Sequence, residues 1–397
     1  MKGKKIVALL CGICLLTACK TDGGADPDNT QENNNNNNNG EISEMSVELK
    51  EENFKELGRT YYADGRIYLA LSGTGVEFTF TGTACSVTVE GDSSSTNSSQ
   101  ADNQARLAVY VNGERVVDDM IDNAEETYEV FKSDSQQSVD VKIIKLSESP
   151  HSTLAISGIS VTGKDVKPAD NKEHLIEFVG DSITCGYGVD DEDRDHHFST
   201  KTEDVTKAYA YKTAEALGAD YSMVSFSGYG IISGYSDGET KVSSQTVPQY
   251  YDKLGYSWSG NGSFTPSELE WDFSKRQPDV IVINLGTNDN SYCKSIEKRC
   301  EEYRAEYINF LKLIREKNPD AAIIGVLGIM GQELCWFVES AVSMYSEETG
   351  DTNVYYLALD QQSARDGYAA DWHPTEATHQ KASQKLSERI KAIMGWN

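Results

Sequence analysis

Five short apolar segments in the second half of the chain constrain its fold more than any other feature. Helical patterns separate these segments, and in residues 297–317 the apolar side chains recur at i, i+4, i+7, i+8 and i+11. That spacing is typical of one buried stripe on a helix. Another helix is predicted over about 375–394, after Pro374. The five segments are residues 175–179, 221–226, 279–285, 321–327 and 353–359. Apolar strands that alternate with helices predict an α/β domain at 172–397, with a five-stranded parallel sheet covered on both faces.

The preceding region, residues 45–165, has the pattern of an antiparallel β domain. Apolar and polar residues alternate in several short runs, including 76–80, 86–89, 106–111, 139–143 and 156–161. Asn112-Gly113 is a hairpin signal, because a type I′ turn needs positive φ at both positions. Short strands of this kind predict a β-sandwich or jelly roll. Residues 231–275, rich in Gly, Ser and Tyr, are either a functional loop or contain structure that the pattern does not reveal.

The first 44 residues are not expected to belong to either domain. Residues 1–19 combine a lysine-rich head, an apolar run too short to span a bilayer, and the sequence Leu16-Thr17-Ala18-Cys19. That ending resembles the lipobox of bacterial lipoproteins, in which Cys19 would become the acylated N-terminus; an ordinary secretory signal is the alternative. Residues 20–44, with an unbroken asparagine run, predict a disordered linker. The expected location is the extracellular face of a bacterial membrane, reached only through the lipid on Cys19.

Charge and cysteine content exclude several classes of function. The formal net charge is −27, and it becomes −30 once residues 1–18 and their three lysines are removed. A strongly negative body repels phosphates, which argues against nucleic acid as a partner and suits a neutral substrate. The six cysteines that remain after removal of residues 1–18 form no CxxC pair and no Cys/His cluster with zinc spacing, so no metal site is expected. Cys293 and Cys300 could pair in an oxidising compartment or remain buried thiols.

Candidate chemical residues follow the carboxyl ends of the predicted parallel strands, where ligands bind in open α/β sheets. The segments at these ends are Gly180-Asp181-Ser182, Ser227-Gly228, Gly286-Thr287-Asn288-Asp289, Gly328 and the loop that leads to Asp371-Trp372-His373. A serine between a strand and a helix is suited to nucleophilic attack, but it needs a base. Of the six histidines, His373 is the one placed on this rim together with the serine. The backbone N–H groups of Ser182 and Gly228 and the amide of Asn288 are candidate oxyanion donors.

These segments resemble, in sequence order, the four blocks of the SGNH (GDSL-type) hydrolases over about residues 174–395. Together with the β domain and the sequence Ala370-Asp371-Trp372-His373-Pro374, they resemble carbohydrate esterase family 2. The resemblance implies an N-terminal jelly roll followed by a flavodoxin-like SGNH domain. It also implies a carboxylic ester hydrolase that deacetylates plant polysaccharides such as xylan and glucomannan by Ser–His catalysis, without a cofactor.

One departure from the SGNH pattern concerns the acid of a catalytic triad. The usual aspartate position, three residues before the histidine, is Ala370, whereas Asp371 is two before it. Asp371 could complete a triad, or a backbone carbonyl could orient His373 in a dyad. We expect Asp181 and Asp289 to hold loops through backbone N–H groups. Trp336, Trp372 and Tyr229, like Tyr187, either contact a sugar substrate or pack within the fold.

Two other functions are compatible with the sequence. The chain could be an esterase or lipase for other acyl esters, although the polar segment 231–265 argues against a long apolar channel. It could instead be a carbohydrate-binding lipoprotein in which the β domain alone supplies the function.

Overall fold

The computed structural model describes residues 42–396. The predicted signal sequence with Cys19, and the linker up to residue 41, lie outside the described residues. The β domain contains β1 Ser43–Ser46, β2 Lys55–Leu57, β3 Thr60–Ala63, β4 Arg66–Leu69, β5 Gly75–Gly91, β6 Arg106–Val111, β7 Glu114–Met120, β8 Glu125–Lys145 and β9 Leu154–Pro168. The α/β domain contains β10 Leu175–Gly180, α1 Ser182–Cys185, α2 Tyr209–Ala216, β11 Asp220–Ser225, β12 Val280–Asn284, α3 Thr287–Cys293, α4 Glu297–Lys317, β13 Ala322–Leu327, α5 Cys335–Thr349, β14 Val354–Ala358 and α6 Glu376–Met394.

The β domain is one antiparallel sheet with the strand order β3-β4-β9-β5-β8-β6-β7, to which β1 and β2 pair at β9 and β5. The runs predicted as separate strands at 76–80 and 86–89 belong to one 17-residue strand, β5, which changes register between Gly82 and Ala84 and again between Cys85 and Ser86. Such bulges bend and twist a strand, and a long strand can then wrap around a core. The predicted hairpin is present, with Asn112 and Gly113 both at positive φ. The sheet begins two residues before the predicted domain start at 45 and ends three residues after 165.

The α/β domain has the strand order β11-β10-β12-β13-β14, with every neighbouring pair parallel. In β12, Ile281 and Ile283 pack into the cluster that α4 and α5 cover, whereas Val280 and Val282 pack into the cluster under α2 and α6. Alternate residues of one strand therefore reach opposite helical layers, as a doubly covered parallel sheet requires. The predicted β domain followed by a five-stranded α/β domain is confirmed.

The two domains are joined through an extensive buried interface. From the α/β side, Leu254 and Phe264 in segment 231–275 pack against Tyr68 and Ala155 of the β domain. The Arg59 guanidinium is fully buried, and it lies 3.2 Å from the carboxylate of Glu177 in β10. Segment 231–275 therefore contains local structure, in the form of short 3-10 turns and isolated β-bridges, and it packs between the two domains.

None of the described helices is both long enough and apolar enough to cross a membrane. The five cysteines among residues 42–396, including Cys293 and Cys300, are free thiols. The pairing left open by the sequence is therefore not formed in this structure.

Candidate active site

The strand order brings the predicted site segments to one edge of the parallel sheet. Ser182 follows β10, which lies between β11 and β12, so the loops after both neighbours flank it. Ser227-Gly228 follows β11, and Asn288 lies in α3 after β12. This is the point at which the strand order reverses, where open α/β sheets form their ligand crevice.

Ser182 is held at the first position of the short helix α1. Asp181 caps this helix, because its carboxylate accepts a hydrogen bond from the backbone N–H of Ile183 at 3.1 Å. The turn requires glycine at position 180, since a Cβ there would lie 2.0 Å from Oγ1 of Thr184. Among the described residues, no acceptor is bonded to the backbone N–H of Ser182.

His373 meets Ser182 across 191 residues of sequence. Its Nε2 lies 2.9 Å from the Ser182 Oγ, and its Nδ1 lies 3.2 Å from the carbonyl oxygen of Ala370. The carbonyl can only accept, so Nδ1 carries the proton and Nε2 presents its lone pair to the serine hydroxyl. Burial lowers the pKa of His373 to about 4, although the Ala370 carbonyl and the charge of Asp371 act in the opposite direction. The imidazole is therefore neutral near pH 7.

The Asp371 carboxylate is not hydrogen-bonded to His373. Of the two arrangements that the sequence left open, the structure has the one in which a backbone carbonyl orients the ring. Oδ2 of Asp371 accepts from the Tyr187 hydroxyl at 2.6 Å and from the Phe198 N–H at 3.0 Å, and its Oδ1 lies 2.9 Å from Nδ1 of His197. The cause is the backbone: Asp371 has a φ of 49°, which turns its side chain away from the ring of His373. Burial acts to raise the pKa of Asp371, but the hydrogen bonds from Tyr187 and His197 hold it below its usual value.

Tyr187 connects Asp371 to the catalytic ring. Its own ring stacks on the His373 imidazole with centroids 3.9 Å apart and an interplanar angle of 21°. Tyr187 also contacts Phe198, which stacks on His151 of the β domain. The imidazole is thus fixed by a carbonyl at one nitrogen and by an aromatic face, and not by a carboxylate.

The three candidate oxyanion donors lie in the loops after β10, β11 and β12, which Asn288 links. Asn288 Nδ2 donates to the Tyr229 carbonyl at 2.8 Å and lies 3.5 Å from the Asp181 carboxylate, so it joins the loops that carry Gly228 and Ser182. Gly228 has a φ of 81°, and a Cβ placed on it would meet nothing within 4 Å. Among residues 42–396, no acceptor is bonded to its N–H. An N–H group without a bonded acceptor is what an oxyanion donor requires.

Two buried aspartates shape these loops, as expected from the sequence. The Asp289 carboxylate accepts hydrogen bonds from the backbone N–H groups of Ile231, Ile232 and Ser233. Burial raises its pKa to about 6, against the effect of those N–H groups, and burial raises the pKa of Asp181 to about 7. Both side chains organise backbone and neither touches the Ser182 hydroxyl in this structure.

The predicted aromatic contacts divide into three cases. Trp372 is 47% exposed next to His373, and the Arg194 guanidinium lies 4.1 Å from its ring centroid. Of the two alternatives for Tyr229, packing within the fold is the one in this structure: the side chain is buried against Phe226, next to Gly228. Trp336 is exposed, but its aromatic and cation–π neighbours are Phe337 and Arg304 on the outer helices.

Sequence reasoning missed several residues around the site. Trp258, 55% exposed in segment 231–275, meets His151 edge to face with centroids 5.0 Å apart. His197, whose Nδ1 lies 2.9 Å from Asp371, is in an acidic polar loop, and Glu148 of the β domain accepts from the N–H of Ser227. Aromatic and acidic residues in loops are common, and only the tertiary structure shows which of them reach the site.

Comparisons with known proteins agree with this geometry. Residues 178–381 match the model of the GDSL-like lipase/acylhydrolase family, and residues 57–169 match the carbohydrate esterase 2 N-terminal domain. The cellulase/esterase CelE of Acetivibrio thermocellus is 31% identical over 332 residues, which are 82% of this chain and 38% of that protein. The chain therefore spans well under half of that relative's length.

Two further relatives are similar over nearly their full length. The acetylxylan esterase / glucomannan deacetylase of Cellvibrio japonicus is 24% identical over 396 residues, which cover 98% of each chain. A solved family two carbohydrate esterase from Clostridium thermocellum, in complex with cellohexaose, is 28% identical with a TM-score of 0.74. That alignment covers 87% of this chain and all of the solved one.

Proposed function

Because the chain belongs to the GDSL-like lipase/acylhydrolase family and carries a carbohydrate esterase 2 N-terminal domain, we propose that it is a serine esterase that removes O-acetyl groups from plant polysaccharides. The observation that carries the proposal is the 2.9 Å contact between Ser182 Oγ and His373 Nε2. The Gly228 N–H, in the loop after the neighbouring strand, is bonded to no acceptor among residues 42–396. The substrates proposed are acetylated xylan and glucomannan, which the name of the Cellvibrio japonicus relative specifies for that protein.

The proposed reaction begins with proton transfer. His373 Nε2 takes the proton of Ser182 as Oγ forms a bond to the acetyl carbonyl carbon, and the carbonyl π electrons move to oxygen. The N–H groups of Ser182 and Gly228 and the amide of Asn288 stabilise the resulting oxyanion. The intermediate then expels the sugar oxygen, which receives the proton from the His373 imidazolium, and an acetyl-serine remains.

Water completes the cycle through the same groups. His373 Nε2 removes a proton from water as the water oxygen attacks the acetyl-serine carbonyl. The second intermediate releases Ser182 Oγ, which takes the proton back, and acetic acid leaves as acetate. The Ala370 carbonyl keeps the ring oriented through both steps, and it stabilises the imidazolium less than a carboxylate would.

A polar, aromatic rim supports a carbohydrate substrate. Exposed Trp372 and Trp258 provide faces for the C–H surface of sugar rings, and Arg194 beside Trp372 provides donors for hydroxyl groups. The net charge of −27 is compatible with neutral acetylated sugars and disfavours polyanions.

Lipid anchoring is part of the proposal. Leu16-Thr17-Ala18-Cys19 supports acylation of Cys19 and display of the enzyme on the outer face of a bacterial membrane. Expression of the full chain with an alkynyl fatty acid tests this: label should appear on the wild type and be absent from Cys19→Ala. Equal labelling of both proteins would contradict it.

The catalytic proposal is tested by following acetyl signals by NMR while the protein acts on acetylated glucomannan and acetylated xylan. Wild type should convert polymer-bound acetyl to free acetate. Ser182→Ala should release none, and Ser274→Ala, a substitution at an exposed loop serine, should match wild type. Acetate release by Ser182→Ala at the wild-type rate would refute the assignment.

A further inference from the structure

A loop of the β domain reaches the catalytic rim of the α/β domain. The loop connects β8 to β9, and it carries Glu148, which is fully buried. Oε2 of Glu148 accepts a hydrogen bond from the backbone N–H of Ser227 at 2.7 Å. Ser227 directly precedes Gly228, whose N–H is a proposed oxyanion donor. One carboxylate from the other domain therefore holds the peptide next to that donor.

Glu148 also touches the helix that begins with the nucleophile. Its Oε2 lies 3.9 Å from Sγ of Cys185, the last residue of α1, and that sulfur lies 3.2 Å from the Ser225 hydroxyl at the end of β11. The carboxylate thus sits between the two loops that supply the Ser182 and Gly228 N–H groups. Movement of Glu148 would change the separation of these donors.

The position of Glu148 is itself fixed by buried charged groups. Its backbone N–H donates to Oε2 of Glu203 at 3.0 Å, and its backbone carbonyl accepts from the Lys145 ammonium at 3.0 Å. Lys145 and Glu203 are both fully buried. These two bonds fix the backbone of Glu148. At the carboxylate, Oε2 accepts from the Ser227 N–H, whereas Oε1 lies 3.6 Å from Nε2 of His151 and has no hydrogen-bond partner among the described residues.

We propose that Glu148 is a positioning residue for the oxyanion site, supplied to the α/β domain by the β domain. The inference rests on the proposed esterase function and adds to it a catalytic reason for the presence of the β domain. Displacement of catalytic groups by about 1 Å can cost about a hundredfold in rate, and loss of one oxyanion donor costs about a hundredfold to a thousandfold. Without the Glu148 contact, the Gly228 N–H should be displaced but still present. We therefore expect a smaller effect than the loss of a whole donor, a 10- to 100-fold decrease of kcat.

The test compares Glu148→Ala with Asp220→Ala in the full-length enzyme. Asp220 is also a buried carboxylate at the domain interface, 2.8 Å from Lys55, but it lies at the opposite end of β11 from Ser227. With 4-nitrophenyl acetate, Glu148→Ala should lower kcat by the stated factor and change KM less than twofold. Asp220→Ala should keep the wild-type kcat while its melting temperature decreases. Glu148→Gln, which keeps an oxygen acceptor for the Ser227 N–H, should restore kcat to within about fivefold of wild type.

Several results would overturn the proposal. A Glu148→Ala kcat within twofold of wild type would do so, and so would an equal kcat loss in Asp220→Ala, which would indicate general destabilisation. If Glu148→Ala does not fold, Glu148→Asp, one methylene shorter, takes its place and must show the same loss. One carboxylate oxygen each of Glu148 and Glu203 and the Cys185 sulfur lie within 4.8 Å of one another. If a chelator inactivated the wild-type enzyme, Glu148 would be a cation ligand, and the positioning role would be refuted. An inactive wild type would refute the esterase function instead, which keeps the two failures distinct.

Discussion

Replacement of Asp371 by asparagine distinguishes a dyad from a triad. Removing the carboxylate of a true Ser-His-Asp triad lowers kcat by about 10⁴-fold. Here the carboxylate is hydrogen-bonded to the Tyr187 hydroxyl, the Phe198 N–H and the His197 ring. The Nδ1–H of His373 donates to the Ala370 carbonyl instead. We therefore expect Asp371→Asn to lower kcat by less than about tenfold, through a less well held Tyr187 ring.

The stability change follows from the same contacts. Asparagine keeps one acceptor oxygen, which can serve Tyr187 and Phe198, and its NH₂ then faces the exposed His197. Hydrogen bonds to charged groups contribute about 1.5–3 kcal/mol, and the Asp371 side chain is 32% exposed, so a loss of about 1–2 kcal/mol of unfolding free energy is expected. Asp371→Ala should lose about 1–2 kcal/mol more, because alanine adopts the left-handed φ of 49° less readily than asparagine.

The assay is the initial rate with 4-nitrophenyl acetate at saturating substrate, together with a melting curve for each variant. Asp371→Asn and Asp371→Ala form a matched pair that separates backbone strain from loss of charge. A decrease of kcat by about a thousandfold or more in Asp371→Asn, with the protein still folded, would refute the dyad reasoning. It would mean that the carboxylate stabilises the imidazolium despite its distance from Nδ1.

Three further predictions concern pH, the oxyanion loop and the aromatic rim. Because His373 must be neutral to act and its pKa is lowered to about 4, kcat/KM should fall on the acid side near pH 4, not near 6.5; a limb at 6.5 would contradict the burial argument. His373 and His379 both have folded pKa values below the unfolded value, so their contribution to stability decreases as pH falls from about 6.5 towards 4, whereas the raised pKa values of Asp181 and Asp289 act in the opposite direction over the same range. Gly228→Ala, at a φ of 81°, should lower kcat by roughly 10- to 100-fold and stability by about 1 kcal/mol; unchanged kcat would remove Gly228 from the oxyanion site. Trp372→Ala should raise KM for acetylated glucomannan about tenfold while kcat for 4-nitrophenyl acetate stays within threefold, and Trp336→Ala should change neither; equal effects of both would contradict the placement of Trp372 in the substrate cleft.

Periodic apolar patterns made most of the fold predictable. The helix predicted over 297–317 is Glu297–Lys317, and the five predicted strands lie within one or two residues of their observed ends. This accuracy has a physical cause, since strands buried on both faces and helices with one apolar stripe leave strong local signals. The rim argument placed Ser182 and His373 together because carboxyl ends of parallel strands share one edge.

The remaining features depend on contacts that local sequence does not encode. Asp371 lies one residue after the position of the usual triad aspartate. Its left-handed backbone conformation directs its carboxylate to Tyr187, and this conformation is not evident from the sequence. Tyr229 follows a rim glycine, yet packing against Phe226 buries it. Glu148 is 79 residues from Ser227 and in another domain, so no spacing rule could connect them. Residues that orient the catalytic groups were the hardest to predict, because each acts through a tertiary contact.

The most direct test of the account is to identify the residue that a fluorophosphonate modifies. Intact-mass analysis and peptide mapping after treatment of wild type should show one phosphonyl group on Ser182, because the reagent needs an activated hydroxyl and an oxyanion site. His373→Ala should react at least about a hundredfold more slowly, since Ser182 then lacks its base. Modification of another residue, or equally fast modification of Ser182 without His373, would contradict the claim that these two side chains form the catalytic pair.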